Sequence, residues 1–261
     1  METNKPNKKV TRVSGGDNTS HQATTTTFVP TAEAKGKANQ LRTFAVISWI
    51  LAIAAQIFAI TLLFKPPVNM TWLIILIVVD LIFAIIGAVL WKKSNRLDPA
   101  SEKDKFKFFM QSQLGMVVAI IAFLPLVIFI FTSKNLDGKQ KGIVGSIAVV
   151  ALVIAGVTGF DFNPPSIEQY TEQTRRVEWL QGSNFVYWTK SGTVYHLYND
   201  CSYINTDRTT EIFEGSVAQA RELKNIANLC SRCENRKIKE KNLDEADYQE
   251  QIEALDEAVE E

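Results

Sequence analysis

The chain has 261 residues, and its 28 lysines and arginines balance 28 aspartates and glutamates. Its mean hydropathy is near zero only because long uncharged runs average against polar ends, which excludes a single ordinary globular domain. Three cysteines exclude a closed disulfide framework, since one thiol would be left over.

Residues 1–42 are polar and rich in Thr, Asn, Lys and Gly, with the run Thr24-Thr25-Thr26-Thr27. No helical or strand period runs through them, so they are expected to be a disordered cytoplasmic tail. His21 stands alone in it, and no metal role is expected there. The first apolar run begins near Thr43, too late for a cleavable secretory signal, so the first span is expected to do the targeting.

Four apolar runs come next, at about 43–64, 70–91, 108–131 and 142–160. At 1.5 Å per residue each can cross a hydrocarbon core of roughly 30 Å. Four such runs without a polar stripe are not core helices of a water-soluble protein. The expected fold is therefore an α-helical multi-pass membrane protein of four transmembrane helices, with a small C-terminal α+β domain after them.

Basic residues set the expected orientation. Lys5, Lys8, Lys9, Arg12, Lys35, Lys37 and Arg42 precede the first run, and only Lys65 lies in the first loop. The second loop carries Lys92, Lys93, Arg96, Lys103, Lys105 and Lys107, and the third Lys134, Lys139 and Lys141. The positive-inside rule then places both termini in the cytoplasm, with the chain in the cell membrane. The short Lys65–Asn69 loop predicts an antiparallel hairpin, and Pro125 predicts a bend in the third span. Gly142, Gly145, Ala148, Ala151, Ala155 and Gly159 suit close helix packing within the chain, and a homo-oligomer is a further possibility.

Two polar residues lie deep in the spans, Gln56 and Asp80. The expectation is a protonated Asp80 hydrogen-bonded to Gln56 or to another helix. The alternative is ion or proton handling, as in a small transporter or channel.

After Asn163-Pro164-Pro165, Ser166 and Gln169 have capping-box spacing, and Ile167, Tyr170, Thr174 and Val177 recur at helical steps. A juxtamembrane helix is expected within 161–181, lying on the membrane surface or against the distal domain. That domain, 182–241, reads as strands 184–189 and 194–198 joined by a turn, a third strand near 210–214, and a helix over 217–228 capped by Ser216. The acidic end, 242–261, carries Tyr248, Ile252, Leu255 and Val259 on one helical stripe.

All three cysteines fall in this domain. The pattern is His196-x4-Cys201, a 28-residue interval, then Cys230-x2-Cys233. Two close pairs of nitrogen and sulfur donors are what one tetrahedral zinc ion needs. Four protein ligands leave no open position, so a structural ion is expected, holding a domain too small to sustain its own core.

The run Tyr187-Trp188-Thr189-Lys190-Ser191-Gly192-Thr193-Val194-Tyr195-His196, with Cys201, Ala220 and Cys230-x2-Cys233, resembles the Ada-like zinc-binding modules appended to bacterial nucleases and membrane proteins. The resemblance covers roughly residues 184–236 and none of the apolar part. It implies His196, Cys201, Cys230 and Cys233 as the ligands. Ada-type repair proteins use four cysteines and accept a methyl group on a zinc thiolate. The first ligand here is His196, so the resemblance carries the fold and not that activity.

Tyr187, Trp188, Tyr195, Tyr198 and Tyr203 are expected mainly to pack around the ion. Arg232, Arg236 and Lys237, with Lys239 and Lys241, form a basic cluster that suggests nucleic-acid contacts, although Glu234 and Glu240 interrupt it. No Ser-His-Asp set, phosphate-cradling glycine loop or clustered catalytic carboxylates accompany the domain. The function expected is therefore a non-enzymatic membrane protein whose zinc module serves interaction, assembly or sensing through a protein partner. Nucleic-acid binding or processing and transport through Asp80 are the alternatives.

Overall fold

The structure is a computed structural model that describes residues 8–13, 27–224 and 226–260, and of 255–260 the backbone alone. His21 lies outside the described residues. The chain divides into two compact units, Val29–Ser166 and Ile167–Glu261 together with Met1–Phe28.

The first unit contains four long helices: α1 (Ala32–Leu63), α2 (Met70–Leu97), α3 (Lys105–Thr132) and α4 (Gly138–Gly159). All four are long and apolar enough to cross a membrane. Each starts at a side-chain cap, where Thr31, Asn69, Asp104 and Asp137 accept from the amides of Ala34, Trp72, Lys107 and Gln140. At α4 the cap is reciprocal, since Gln140 also accepts from the Asp137 amide.

Packing in this unit is inverted relative to a water-soluble bundle. The buried positions of α1 and α4 are mostly small, including Ala38, Ala45, Ala52, Ala59, Ala148, Ala151 and Ala155. The exposed positions are large and apolar, among them Ile50, Phe58, Ile121, Ile128, Val150 and Val153. Water would drive those side chains inward, whereas lipid leaves close backbone approach as the main gain from packing. At Gly115 and Gly159 the approach is closest. A Cβ on Gly159 would lie 2.6 Å from the Gly115 carbonyl, so α3 and α4 touch backbone to backbone there. Of the small residues in α4, Gly145, Ala148, Ala151, Ala155 and Gly159 are buried within this unit, while Gly142 has open space beside it.

Polar side chains link helix ends. Arg42 pairs with Asp98 at 2.7 Å, Gln113 exchanges two hydrogen bonds with the backbone of Asp161, and Lys92 donates to the Phe160 carbonyl.

The expected pairing of Asp80 with Gln56 does not occur. Pro125 lies inside α3 and has no N–H, which frees the carbonyl four residues earlier, at Ile121. Gln56 donates its side-chain amide to that carbonyl at 3.1 Å. Its polarity is thus spent on the backbone defect made by proline, across from α1 to α3. Asp80 is fully buried on α2, and neither carboxyl oxygen has a hydrogen-bond partner among the described residues.

The second unit holds β1 (Lys9–Arg12), α5 (Ile167–Gln181), β2 (Phe185–Trp188), β3 (Val194–Tyr195), β4 (Glu211–Ser216), α6 (Val217–Lys224), β5 (Asn228–Leu229), α7 (Ser231–Lys241) and α8 (Glu245–Glu260). One sheet has the order β1-β4-β2, with β1 parallel and β2 antiparallel to β4. A second sheet is the parallel pair β3-β5. The core of the unit gathers Val177 and Leu180 of α5, Val186 and Trp188 of β2, Ile212 of β4, Ala220 of α6 and the three cysteines.

Several expectations are corrected by these elements. The stretch 1–42 is not uniformly structureless, since Lys9–Arg12 is a strand and α1 already begins at Ala32. The backbone groups of β1 find partners on β4, about 200 residues away, which no local period reveals. The helix expected over 217–228 ends at Lys224, and Asn228–Leu229 pairs as a strand instead. The two strands flanking the Lys190–Thr193 turn meet only at a bridge between Tyr187 and His196.

Replacing Gln56 by Leu leaves the Ile121 carbonyl buried without a donor, at a cost of about 1–2 kcal/mol in lipid-like surroundings. The loss should largely disappear when Pro125→Ala restores the helical N–H. Unfolding of the four variants in mixed micelles measures the coupling, and strictly additive effects would refute the link.

Candidate metal centre

Two short parallel strands bring the donors together. β3 and β5 pair Val194 with Asn228 and Tyr195 with Leu229, so the next residues, His196 and Cys230, emerge side by side. The Cys230 amide donates to the Tyr195 carbonyl at 2.9 Å and locks that register. On the other flank His196 exchanges both backbone hydrogen bonds with Tyr187, at 2.7 and 2.8 Å. Cys201 comes next in a tight turn, and the amides of Ile204 and Asn205 return to its carbonyl at 3.0 and 2.7 Å.

Cys230 is the N-cap of α7, with its carbonyl accepting from the Glu234 amide at 3.0 Å. Cys233 lies three residues on, in the first turn. Both cysteines therefore belong to the N-terminal turn of α7. A backbone hydrogen bond from Leu197 also reaches the Cys233 sulfur.

His196, Cys201, Cys230 and Cys233 are all buried, and one donor atom from each lies within 4.8 Å of the others. A tetrahedral ion with bonds of about 2.3 Å to sulfur and 2.0–2.1 Å to nitrogen sets a sulfur–nitrogen edge of about 3.6 Å. Cys233 Sγ and His196 Nδ1 are 3.6 Å apart. All three cysteines are free thiols, so no disulfide competes for them. The four residues expected from the spacing are thus brought together in a cluster that could hold one metal ion.

Burial works against charge on two of the four donors. Burial holds the His196 imidazole down to about 4, so the ring keeps a lone pair for a ligand. Burial, with Cys201 and Cys230 beside it, pushes the Cys233 thiol up to about 12. A metal ion must displace those thiol protons, which couples its binding to pH.

The centre also fixes the segment on its C-terminal side. Glu234, next to Cys233, accepts from Arg176 Nε of α5 at 2.9 Å. The same guanidinium forks onto Glu245 at 2.7 and 2.8 Å and lies over the rings of Trp179 and Tyr248. Tyr248 is buried against Trp179 and donates to Glu172 at 2.6 Å. The stripe residue Tyr248 thus docks α8 on α5, while the side chains of Leu255 and Val259 lie outside the described residues.

Two members of the basic cluster are paired with acids. Arg236 pairs with Asp200 at 3.2 Å and Glu240 at 2.9 Å, and Lys237 lies 4.0 Å from Glu240. Both also lie over Tyr198, and Arg232 lies over the exposed ring of Tyr203. Trp188 and Tyr195 are fully buried, so these two aromatics serve the core.

Comparison with protein-family models, curated proteins and solved structures gives no match, so the geometry carries the reading of this centre.

The purified chain should hold one metal ion, measurable by elemental analysis, and lose it in Cys233→Ser or His196→Ala together with the fold of this unit. The contribution of a structural zinc, about 10–16 kcal/mol, exceeds what a small core supplies. Two effects of acid add. The metal must compete with protons for up to three thiols, and the His196 pKa lies below its unfolded value of 6.5. Stability from His196 is therefore full above about pH 6.5 and is lost as pH falls from there toward 4. Between pH 7 and 6 the apparent metal affinity should fall by about two to three orders of magnitude in chelator competition. A pH-independent affinity would exclude thiolate ligation.

Proposed function

We propose that the chain is a four-span integral membrane protein that carries, on one side of the bilayer, an Ada-like module closed around one structural zinc ion. It acts through the surface of that module, in interaction, assembly or sensing with a protein partner, and not as an enzyme. The observation that carries this reading is the complete set of four buried donors, His196, Cys201, Cys230 and Cys233. Three sulfur donors and one nitrogen donor suit zinc, and four protein ligands would leave no position for water or substrate.

Topology supports the span count. β1 precedes the first helix of the bundle and β4 lies beyond the last, yet the two strands pair. That pairing supports a reading with both ends on one side and an even number of crossings. The basic residues before α1 and between α2 and α3 favour the cytoplasm as that side, and its reducing milieu keeps the cysteines available as ligands. Nucleic-acid binding through Arg232, Arg236 and Lys237 is the weaker reading, because Asp200 and Glu240 already pair with Arg236.

Single cysteines at exposed Thr27, Lys65 and Ser191, in a chain whose metal ligands are protected by zinc, test the topology. In intact cells a membrane-impermeant maleimide should label Lys65→Cys, and should label Thr27→Cys and Ser191→Cys only after permeabilisation. Labelling of Thr27→Cys and Ser191→Cys from opposite sides would exclude four spans.

A second reading, a small transporter or channel, is favoured by Asp80 alone, a fully buried acid with no partner among the described residues. It predicts proton or small-cation flux in proteoliposomes that Asp80→Asn abolishes. Absence of flux with zinc retained leaves the first reading.

A further inference from the structure

The strand β1 is bound to its sheet in an unusual way. Beside it, β4 and β2 contribute the buried side chains Ile212, Val186 and Trp188 to the core. β1 contributes none: Val10 is 42% exposed, and Lys9 and Arg12 are exposed as well. Val13, just past the strand, is only partly buried. The hydrophobic core of the unit is therefore complete at the β4 edge without β1.

What holds β1 is a parallel backbone ladder with a set of polar contacts. The register pairs Lys9, Val10, Thr11 and Arg12 with Glu211, Ile212, Phe213 and Glu214, and the Val13 amide extends the ladder to the Glu214 carbonyl at 2.8 Å. Glu211 receives Lys9 at 3.7 Å and the Thr11 hydroxyl, and Glu214 receives Arg12 at 3.2 Å. Lys8 reaches the Thr206 carbonyl, and Arg12 also lies over the Phe185 ring. Alternate residues of a strand point to opposite faces, so Glu211 and Glu214 present one acid on each face of the sheet. Such an edge reads two basic residues three positions apart, one on each face, with a hydroxyl beside the first.

We propose that the outer edge of β4 is a recognition edge for an extended basic peptide of a partner protein, of the form basic–apolar–Thr–basic, and that residues 8–13 occupy this edge in cis as a competitor. Main-chain hydrogen bonds supply affinity, as when any peptide adds a strand to an open sheet edge, and the two acids supply selectivity. An own strand that buries no side chain covers the edge against indiscriminate pairing and yields to a better-matched segment. The proposal is independent of which ion, if any, occupies the metal centre.

The test uses the chain in detergent or nanodiscs and, as probe, a fluorescent peptide of sequence Lys8–Val13. A variant lacking residues 1–13 should bind the probe at least about tenfold more tightly than the full chain, in which the tethered strand competes at high local concentration. Glu214→Lys in the shortened chain should abolish binding, and a probe carrying Arg12→Glu should restore it. Failure of the shortened chain to bind while it keeps its secondary structure, equal binding to both chains, or indifference to charge reversal would overturn the proposal. Hydrogen exchange on the unaltered full chain decides the matter even where the shortened chain misfolds. The amides of β1 should exchange at least about a hundredfold faster than those of β2, whereas equal protection would make β1 a permanent part of the sheet.

Discussion

The C-terminal unit depends on a two-residue parallel ladder that sets His196 beside Cys230. Without the β3–β5 register the two halves of the cluster, 28 residues apart in the chain, have nothing to align them. With it, the donors come close enough for one ion, and the position of α7 is set because Cys230 and Cys233 form its first turn. From α7 the constraint passes through Glu234 to Arg176, and from Arg176 to Glu245 and Tyr248 of α8. The Arg176 pairs are only partly exposed and partly bidentate, which raises them above ordinary surface ion pairs. The last helix is thus held on α5 by a residue whose own anchor is adjacent to Cys233 of the candidate metal cluster.

The helical unit follows a different packing rule. Beside large core residues such as Leu73, Phe123 and Leu126, much of its interior is alanine, while many isoleucine, valine and phenylalanine side chains lie on its exterior, which suits lipid better than water. Under that condition backbone satisfaction becomes the stricter requirement, since a carbonyl without a donor has no water to turn to. The pairing of Gln56 with the Ile121 carbonyl meets it at the one interior proline. Asp80 stands apart, since neither of its oxygens has a partner among the described residues.

The candidate donor cluster and the long helices were legible in the sequence because both signals are local: donors in close pairs, and uninterrupted apolar runs. Gln56 and Pro125 were each legible as anomalies, but their connection crosses from α1 to α3, whereas depth in the spans offered Gln56, or another helix, as a partner for Asp80. β1 was illegible for the same reason. Val10, Thr11 and Val13 have strand-prone side chains, yet four residues without an apolar face become a strand only in the presence of β4. The early end of α6 also has a nonlocal cause. Residues 217–228 have helical composition, but the chain must leave the helix at Lys224 for Asn228 and Leu229 to reach β3.

The discontinuous build of this unit has a consequence for the order of assembly. Closing a flexible loop of about 200 residues costs roughly 5 kcal/mol of chain entropy, which a four-residue strand without buried side chains does not offset. Once the four long helices are packed, most of the intervening chain is already ordered and that cost falls. On this accounting β1 is expected to join β4 after the bundle and the core of the C-terminal unit have formed. The candidate metal cluster, made entirely from residues 196–233, requires neither event.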